Sequence, residues 1–187
     1  DGYVQRQLDG WIERWNNALT DDVGPAEPLV GWLRQRAPLS RRTTLLHNDY
    51  KLDNTLLDPH DPAKLTAVLD WDMCTRGDPL MDLGYTLALW AEPHEKDAAA
   101  EGRMPTWRTG FPTRREAAEL YAVRSAADVD GLHWYVVFNV FRYAVILQQI
   151  YLRYARGQTH DPRFADFGAA ANRLTERALT LIERGEI

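Results

Sequence analysis

The stretch that decides the reading is His47-Asn48-Asp49-Tyr50-Lys51-Leu52-Asp53-Asn54, answered further on by Val68-Leu69-Asp70-Trp71-Asp72. Brief β-type runs surround it: Thr43–Leu46, Thr55–Leu57 and Leu65–Leu69, separated by turn formers. The second and third flank Asp58-Pro59-His60-Asp61-Pro62, which predicts a hairpin connection. Asp49 and Asn54 then share one loop between two strands, and Asp70 ends the next strand, 16 residues beyond Asn54. A carboxylate and an amide oxygen at a strand end suit magnesium, which prefers hard oxygen ligands and keeps several waters. A second carboxylate, outside that pair, can take a proton from a hydroxyl. Lys51, two residues after Asp49, can meet phosphate charge. Singly, each residue also has an ordinary use. Asp and Asn cap loops, His47 at a strand end reads as a buried hydrogen-bonding residue, and a lysine is commonly solvated. The ordered set carries the chemistry.

Upstream, Tyr3-Val4, Leu8, Trp11-Ile12, Trp15 and Ala18-Leu19 recur at helical spacing, predicting an amphipathic helix over 3–19. Residues 20–28 read as loop, and Leu29–Arg36 as a short helix that stops before Pro38. Downstream of Leu69 the pattern is helical throughout. Asp78-Pro79 opens a helix to about Trp90. Thr113 with Glu116 forms a capping box for a helix to about Ala127. Asp130 to about Arg156 is apolar on nearly every face and predicts the central helix, and Arg163 to about Arg184 predicts an amphipathic one. Residues 91–112 make a long connection of the kind that is usually functional or disordered. Trp107 within it is a candidate substrate-lining residue, while Glu92, Glu95, Asp97 and Glu101 read as a solvated acidic face able to attract a cation.

The 187 residues carry 22 Lys+Arg against 27 Asp+Glu, a net charge of −5, with 45% hydrophobic residues. That composition supports a folded core and one domain or lobe. It provides no broad basic surface, so neither nucleic acid nor an anionic membrane is expected as a partner. The stretch Leu132–Ile150 has roughly the length of a membrane span, but His133, Asn139, Arg142, Gln148 and Gln149 make it a core helix. A single cysteine, Cys74, fits a reducing, cytoplasmic setting, and beside the metal motif it reads as a small apolar filler.

His47–Asn54 resembles the catalytic loop of protein kinases and of aminoglycoside phosphotransferases and choline kinases, and Leu69-Asp70-Trp71-Asp72 resembles their magnesium-binding segment. Gly77-Asp78-Pro79-Leu80-Met81-Asp82-Leu83-Gly84, Gly110-Phe111-Pro112-Thr113 and Phe138-x-x-Phe141-Arg142 are similar to later segments of the aminoglycoside phosphotransferases. The nearest branch is the one sometimes fused to acyl-CoA dehydrogenases. The resemblance implies an α+β, predominantly helical C-terminal lobe of a protein-kinase-like fold over residues 1–187, its small β element carrying the catalytic loop. It also implies an N-terminal nucleotide-clamping lobe outside the chain, because nothing before His47 offers a glycine-rich loop or a strand lysine. By the same resemblance Asp49 is the catalytic base and Lys51 meets the transferring phosphate. Asn54 and Asp70 hold Mg2+, and Asp72 could contact a second ion. Asp82 anchors the loop backbone. Asn48 stands where the family usually has glycine, a departure expected to reshape the local backbone. The implied reaction moves the γ-phosphoryl group of ATP, or GTP, to the hydroxyl of a small molecule. Two rival readings stay open: a kinase-like ligand-binding module without turnover, and a phosphoester hydrolase holding a transition metal on His47, Asp49, Asp70 and Asp72.

Overall fold

In a computed structural model, which describes residues 2–24, 26–40, 42–95, 103–185 and 187, the chain forms two compact units. One comprises Asp1–Ser40 with His133–Ile187, the other Arg41–Leu132.

The first unit is helical. Helix α1 (Tyr3–Ala18) buries Val4, Leu8, Ile12, Trp15 and Ala18, the stripe its spacing predicts. Helix α2 (Glu27–Gln35) starts two residues before the expected point, with Pro28 in its first turn, where a missing N–H costs no helix bond. The long apolar helix (Leu132–Ala155) is long and apolar enough to cross a membrane, but two-thirds of that window is buried inside the protein. Val136, Val137, Phe138, Val140 and Phe141 are fully enclosed. Its Phe141 packs on Trp15 at 5.8 Å between ring centroids, and Trp134 donates its indole N–H to the Leu33 carbonyl at 3.0 Å. The last helix (Phe167–Arg184) begins later than Arg163, because Asp161 caps a separate 3-10 turn over Pro162–Phe164. Gly168 lies against the ring of Tyr151, where a Cβ would come within 2.8 Å.

The second unit carries the β element. Strands β1 (Thr44–Leu46), β2 (Thr55–Leu57) and β3 (Leu65–Val68) fall where the β-type runs predict, and β2 and β3 pair antiparallel across the Asp58–Pro62 turn. The expectation of helix everywhere beyond Leu69 is corrected by β4 (Thr75–Gly77), which pairs antiparallel with β1. Three residues with one arginine have no pattern of their own, and only the partner strand makes them β. Helix α3 (Leu80–Leu89) follows, its first N–H accepted by Asp78 Oδ1 at 2.9 Å. Helix α4 (Arg114–Ser125) opens on the predicted capping box, Thr113 and Glu116 each accepting the other's backbone N–H. The helices already described at Leu132–Ala155 and Phe167–Arg184 are α5 and α6.

Two surface expectations are revised. Cys74 is exposed, on the turn leading into β4, not a buried filler. Glu92 and Glu95 are not a free acidic face: Glu92 accepts the Arg114 backbone N–H at 2.8 Å, and Glu95 pairs with the buried side chains of Arg114 and Arg103, the latter at 3.2 Å. Asp97 and Glu101 lie outside the described residues. The described parts of the connection are pinned. Thr106 Oγ1 bonds the backbone of Ala91 on both sides, and Trp90 donates its indole N–H to the Pro112 carbonyl. Trp107 is half-buried beneath the Arg108 guanidinium.

Candidate active site

The loop between β1 and β2 is held by one face of α3. Asp82, Tyr85 and Thr86 stand three and four positions apart, hence on the same side of the helix. Asp82 accepts the backbone N–H of His47 at 2.6 Å on one oxygen and that of Asn48 at 2.7 Å on the other. Thr86 donates to the Tyr50 carbonyl at 2.8 Å. Tyr85, buried at 7% exposure, donates its hydroxyl to Asp49 Oδ1 at 2.6 Å. Asp82 anchors the loop backbone as the resemblance implies. Tyr85 and Thr86 were missed, since an aromatic residue and a threonine in an apolar helix read as packing.

Within the loop, Asp49, Lys51 and Asn54 meet directly. Asp49 Oδ2 accepts from the Asn54 carboxamide at 2.8 Å and lies 3.2 Å from Lys51 Nζ. The same Asn54 nitrogen also donates to the Asp49 carbonyl. Burial penalises the charge on Asp49, but hydrogen bonds from Tyr85, Lys51 and Asn54, with the Lys51 charge, outweigh it and hold the carboxyl below its ordinary range. With Nδ2 fixed in this way, Asn54 Oδ1 has no hydrogen-bond partner among the described residues.

Asp70 follows the strand whose end is bonded to this loop. The Leu69 N–H bonds the Asn54 carbonyl at 2.8 Å and the Leu69 carbonyl accepts His47 Nε2 at 2.8 Å, so Asp70 follows a residue tied to both ends of the loop. Its φ of 60° lies in the left-handed region that few side chains adopt, aspartate being among the better tolerated. The carboxylate is exposed and has no described partner. A free carboxylate and a free, oriented amide oxygen are the hard donors magnesium takes, so the residues present fit that ion. Asp72 is exposed in the turn after Trp71. A cavity of about 310 Å³ beside the loop is lined by His47, Tyr50 and Trp71, the neighbours of Asp49 and Asp70 in sequence, but by neither carboxylate.

Two loop residues behave in ways their identity explains. His47 is buried and uses both ring nitrogens on the protein: Nε2 donates to Leu69, and Nδ1 accepts the Asp49 N–H at 3.2 Å. It is a structural hydrogen-bonding residue. Asn48 takes φ 65°, the conformation glycine adopts without penalty and asparagine adopts most readily of the rest. Its side chain donates to the Met73 carbonyl at 2.9 Å. Asparagine here holds a bend that glycine also adopts, and its side chain adds a tie to the β4 turn.

A predominantly helical α+β unit whose loop joins a carboxylate, a lysine and an asparagine, with a second aspartate two residues past β3, defines a kinase-like phosphotransferase fold. The chain belongs to the phosphotransferase enzyme family, whose sequence profile matches residues 1–135. It is similar to the crystal structure of a Ralstonia eutropha protein assigned as an aminoglycoside phosphotransferase, with a TM-score of 0.81 and 29% identity over 97% of this chain and 56% of that one. Among curated relatives it is 32% identical to mouse acyl-CoA dehydrogenase family member 10 over 94% of its own length, and 30% identical to rat acyl-CoA dehydrogenase family member 11 over 83%. It spans only 17% and 20% of those two relatives' lengths.

Proposed function

We propose that the chain is the catalytic-loop lobe of a small-molecule kinase that transfers the γ-phosphoryl group of ATP to a substrate hydroxyl. The observation carrying this is the Asp49–Lys51–Asn54 contact set, joined through Leu69 to Asp70. In the proposed reaction the acceptor hydroxyl hydrogen-bonds to Asp49 and gives it a proton. The hydroxyl oxygen's electron pair forms the new P–O bond, and the bond from phosphorus to the oxygen of ADP breaks with its pair leaving on ADP. Lys51 offsets charge on the transferring group, and Asn54 and Asp70 would hold magnesium, which when bound neutralises phosphate charge. The described residues up to Leu46 form α1, α2 and β1, so the nucleotide-clamping half of the cleft is proposed to come from outside this stretch. The lone, exposed Cys74 is in keeping with a cytoplasmic setting.

The hydrolase reading is disfavoured by His47, whose ring nitrogens are both engaged by the protein and leave no lone pair for a metal. For the acceptor, a hydroxyacyl thioester is proposed ahead of an aminoglycoside or a choline-like amino alcohol. The relatives' names point to acyl thioesters, and two of the four acids of the face able to attract a cation, Glu92 and Glu95, serve Arg103 and Arg114 instead. The test is ADP release by the complete gene product with magnesium ATP across hydroxyacyl thioesters, amino alcohols and aminoglycosides. Acceptor-dependent release with a thioester supports the reading; nucleotide binding without release for any acceptor supports the binding module.

A further inference from the structure

The carboxylate of Asp49 can be read lone pair by lone pair. A carboxylate offers about four acceptor positions, two on each oxygen. Oδ2 faces two donors, Asn54 Nδ2 at 2.8 Å and Lys51 Nζ at 3.2 Å. Oδ1 faces one, the Tyr85 hydroxyl at 2.6 Å. Among the described residues one position remains open, on Oδ1, next to the phenol.

Resting on the phosphotransferase reading, we infer that Tyr85 is a positioning residue for Asp49, fixing the carboxylate so that the one open lone pair of Oδ1 receives the acceptor's hydroxyl. The geometry favours such a role over simple packing. The ring is buried and comes from a helix, a more rigid support than the loop it holds, and 2.6 Å is the length of a charge-assisted O–H···O⁻ bond. The loop's other ties to Asp49 come from within residues 47–54 and would move with it. Tyr85 provides a fixed reference from α3. A donor on Oδ1 makes that oxygen a weaker base, which is tolerable because phosphoryl transfer passes through a loose transition state in which aiming the nucleophile matters more than deprotonating it early.

The experiment is Tyr85→Phe in the complete protein, which removes one oxygen and leaves the ring. Transfer to the acceptor and acceptor-free hydrolysis of ATP are measured side by side, with nucleotide affinity and melting temperature. Water needs less exact aim than a bound hydroxyl. The inference predicts that kcat for transfer falls about tenfold, acceptor KM and nucleotide affinity stay within about twofold, and hydrolysis falls less than transfer. Transfer at the wild-type rate, or transfer and hydrolysis falling in the same proportion, would overturn it. If wild-type protein transfers to no acceptor, the kinase reading fails by itself, and the positioning claim is then judged on crystal structures of this chain. Asp49 in one orientation in the wild type and several in Tyr85→Phe sustains the claim; an unmoved Asp49 in the variant rejects it.

Discussion

Removing the Asp82 carboxylate should damage the protein more than its half-buried place on α3 suggests. Its two oxygens accept the N–H groups of His47 and Asn48 at 2.6 and 2.7 Å, shorter than an ordinary N–H···O bond. Hydrogen bonds to a charged group contribute about 1.5–3 kcal/mol each, and these two share one carboxylate, so Asp82→Ala should cost roughly 3–5 kcal/mol. That is a large share of the roughly 5–15 kcal/mol that holds a typical protein folded. For a chain of this size it should lower the melting temperature on the order of 10 °C. Asp82→Asn should fall between, because its amide keeps one acceptor but turns an N–H toward the second donor. Calorimetry of the three proteins, with hydrogen exchange at the His47 and Asn48 amides, gives the answer. A melting temperature within about 2 °C of wild type for Asp82→Ala, with both amides equally protected, would refute the anchoring role.

Asn48→Ala should destabilise by about 1.5–3 kcal/mol, combining the left-handed φ with the lost bond to Met73. Asn48→Gly should cost less because it relieves the strain, and urea unfolding that ranks glycine below alanine would contradict this. Asp70→Ala in the complete protein should abolish the magnesium dependence of nucleotide binding in titration calorimetry; a magnesium dependence as large as that of the wild type would remove Asp70 from the ligand set.

The fold was legible where local chemistry decides it. The β2–β3 hairpin follows from β-type runs around a proline-rich turn, the start of α4 from Thr113 and Glu116, and the buried stripe of α1 from its spacing. The illegible parts depend on partners distant in sequence. Strand β4 is β only because β1 lies beside it. Met104 looks like filler, yet its sulfur accepts the Leu52 N–H of the loop. Tyr85 looks like core, and its use appears only when the turns of α3 are counted from Asp82 and the loop is laid against them. Asp49, Lys51 and Asn54 could be named from spacing, but the orientation of the Asn54 amide, which frees Oδ1, is fixed by Asp49 in three dimensions. For Asn48 the residue type held the clue, since asparagine is the side chain best able to stand in for glycine at positive φ.

Asp49→Asn in the complete protein tests the central claim most directly. The amide preserves shape but cannot take the acceptor's proton, and it presents an N–H to one of the donors the carboxylate now receives. With transfer of labelled phosphate from ATP measured beside nucleotide affinity, turnover should fall by about a hundredfold or more while ATP still binds. Transfer at the wild-type rate, with ATP bound equally well, would contradict the account.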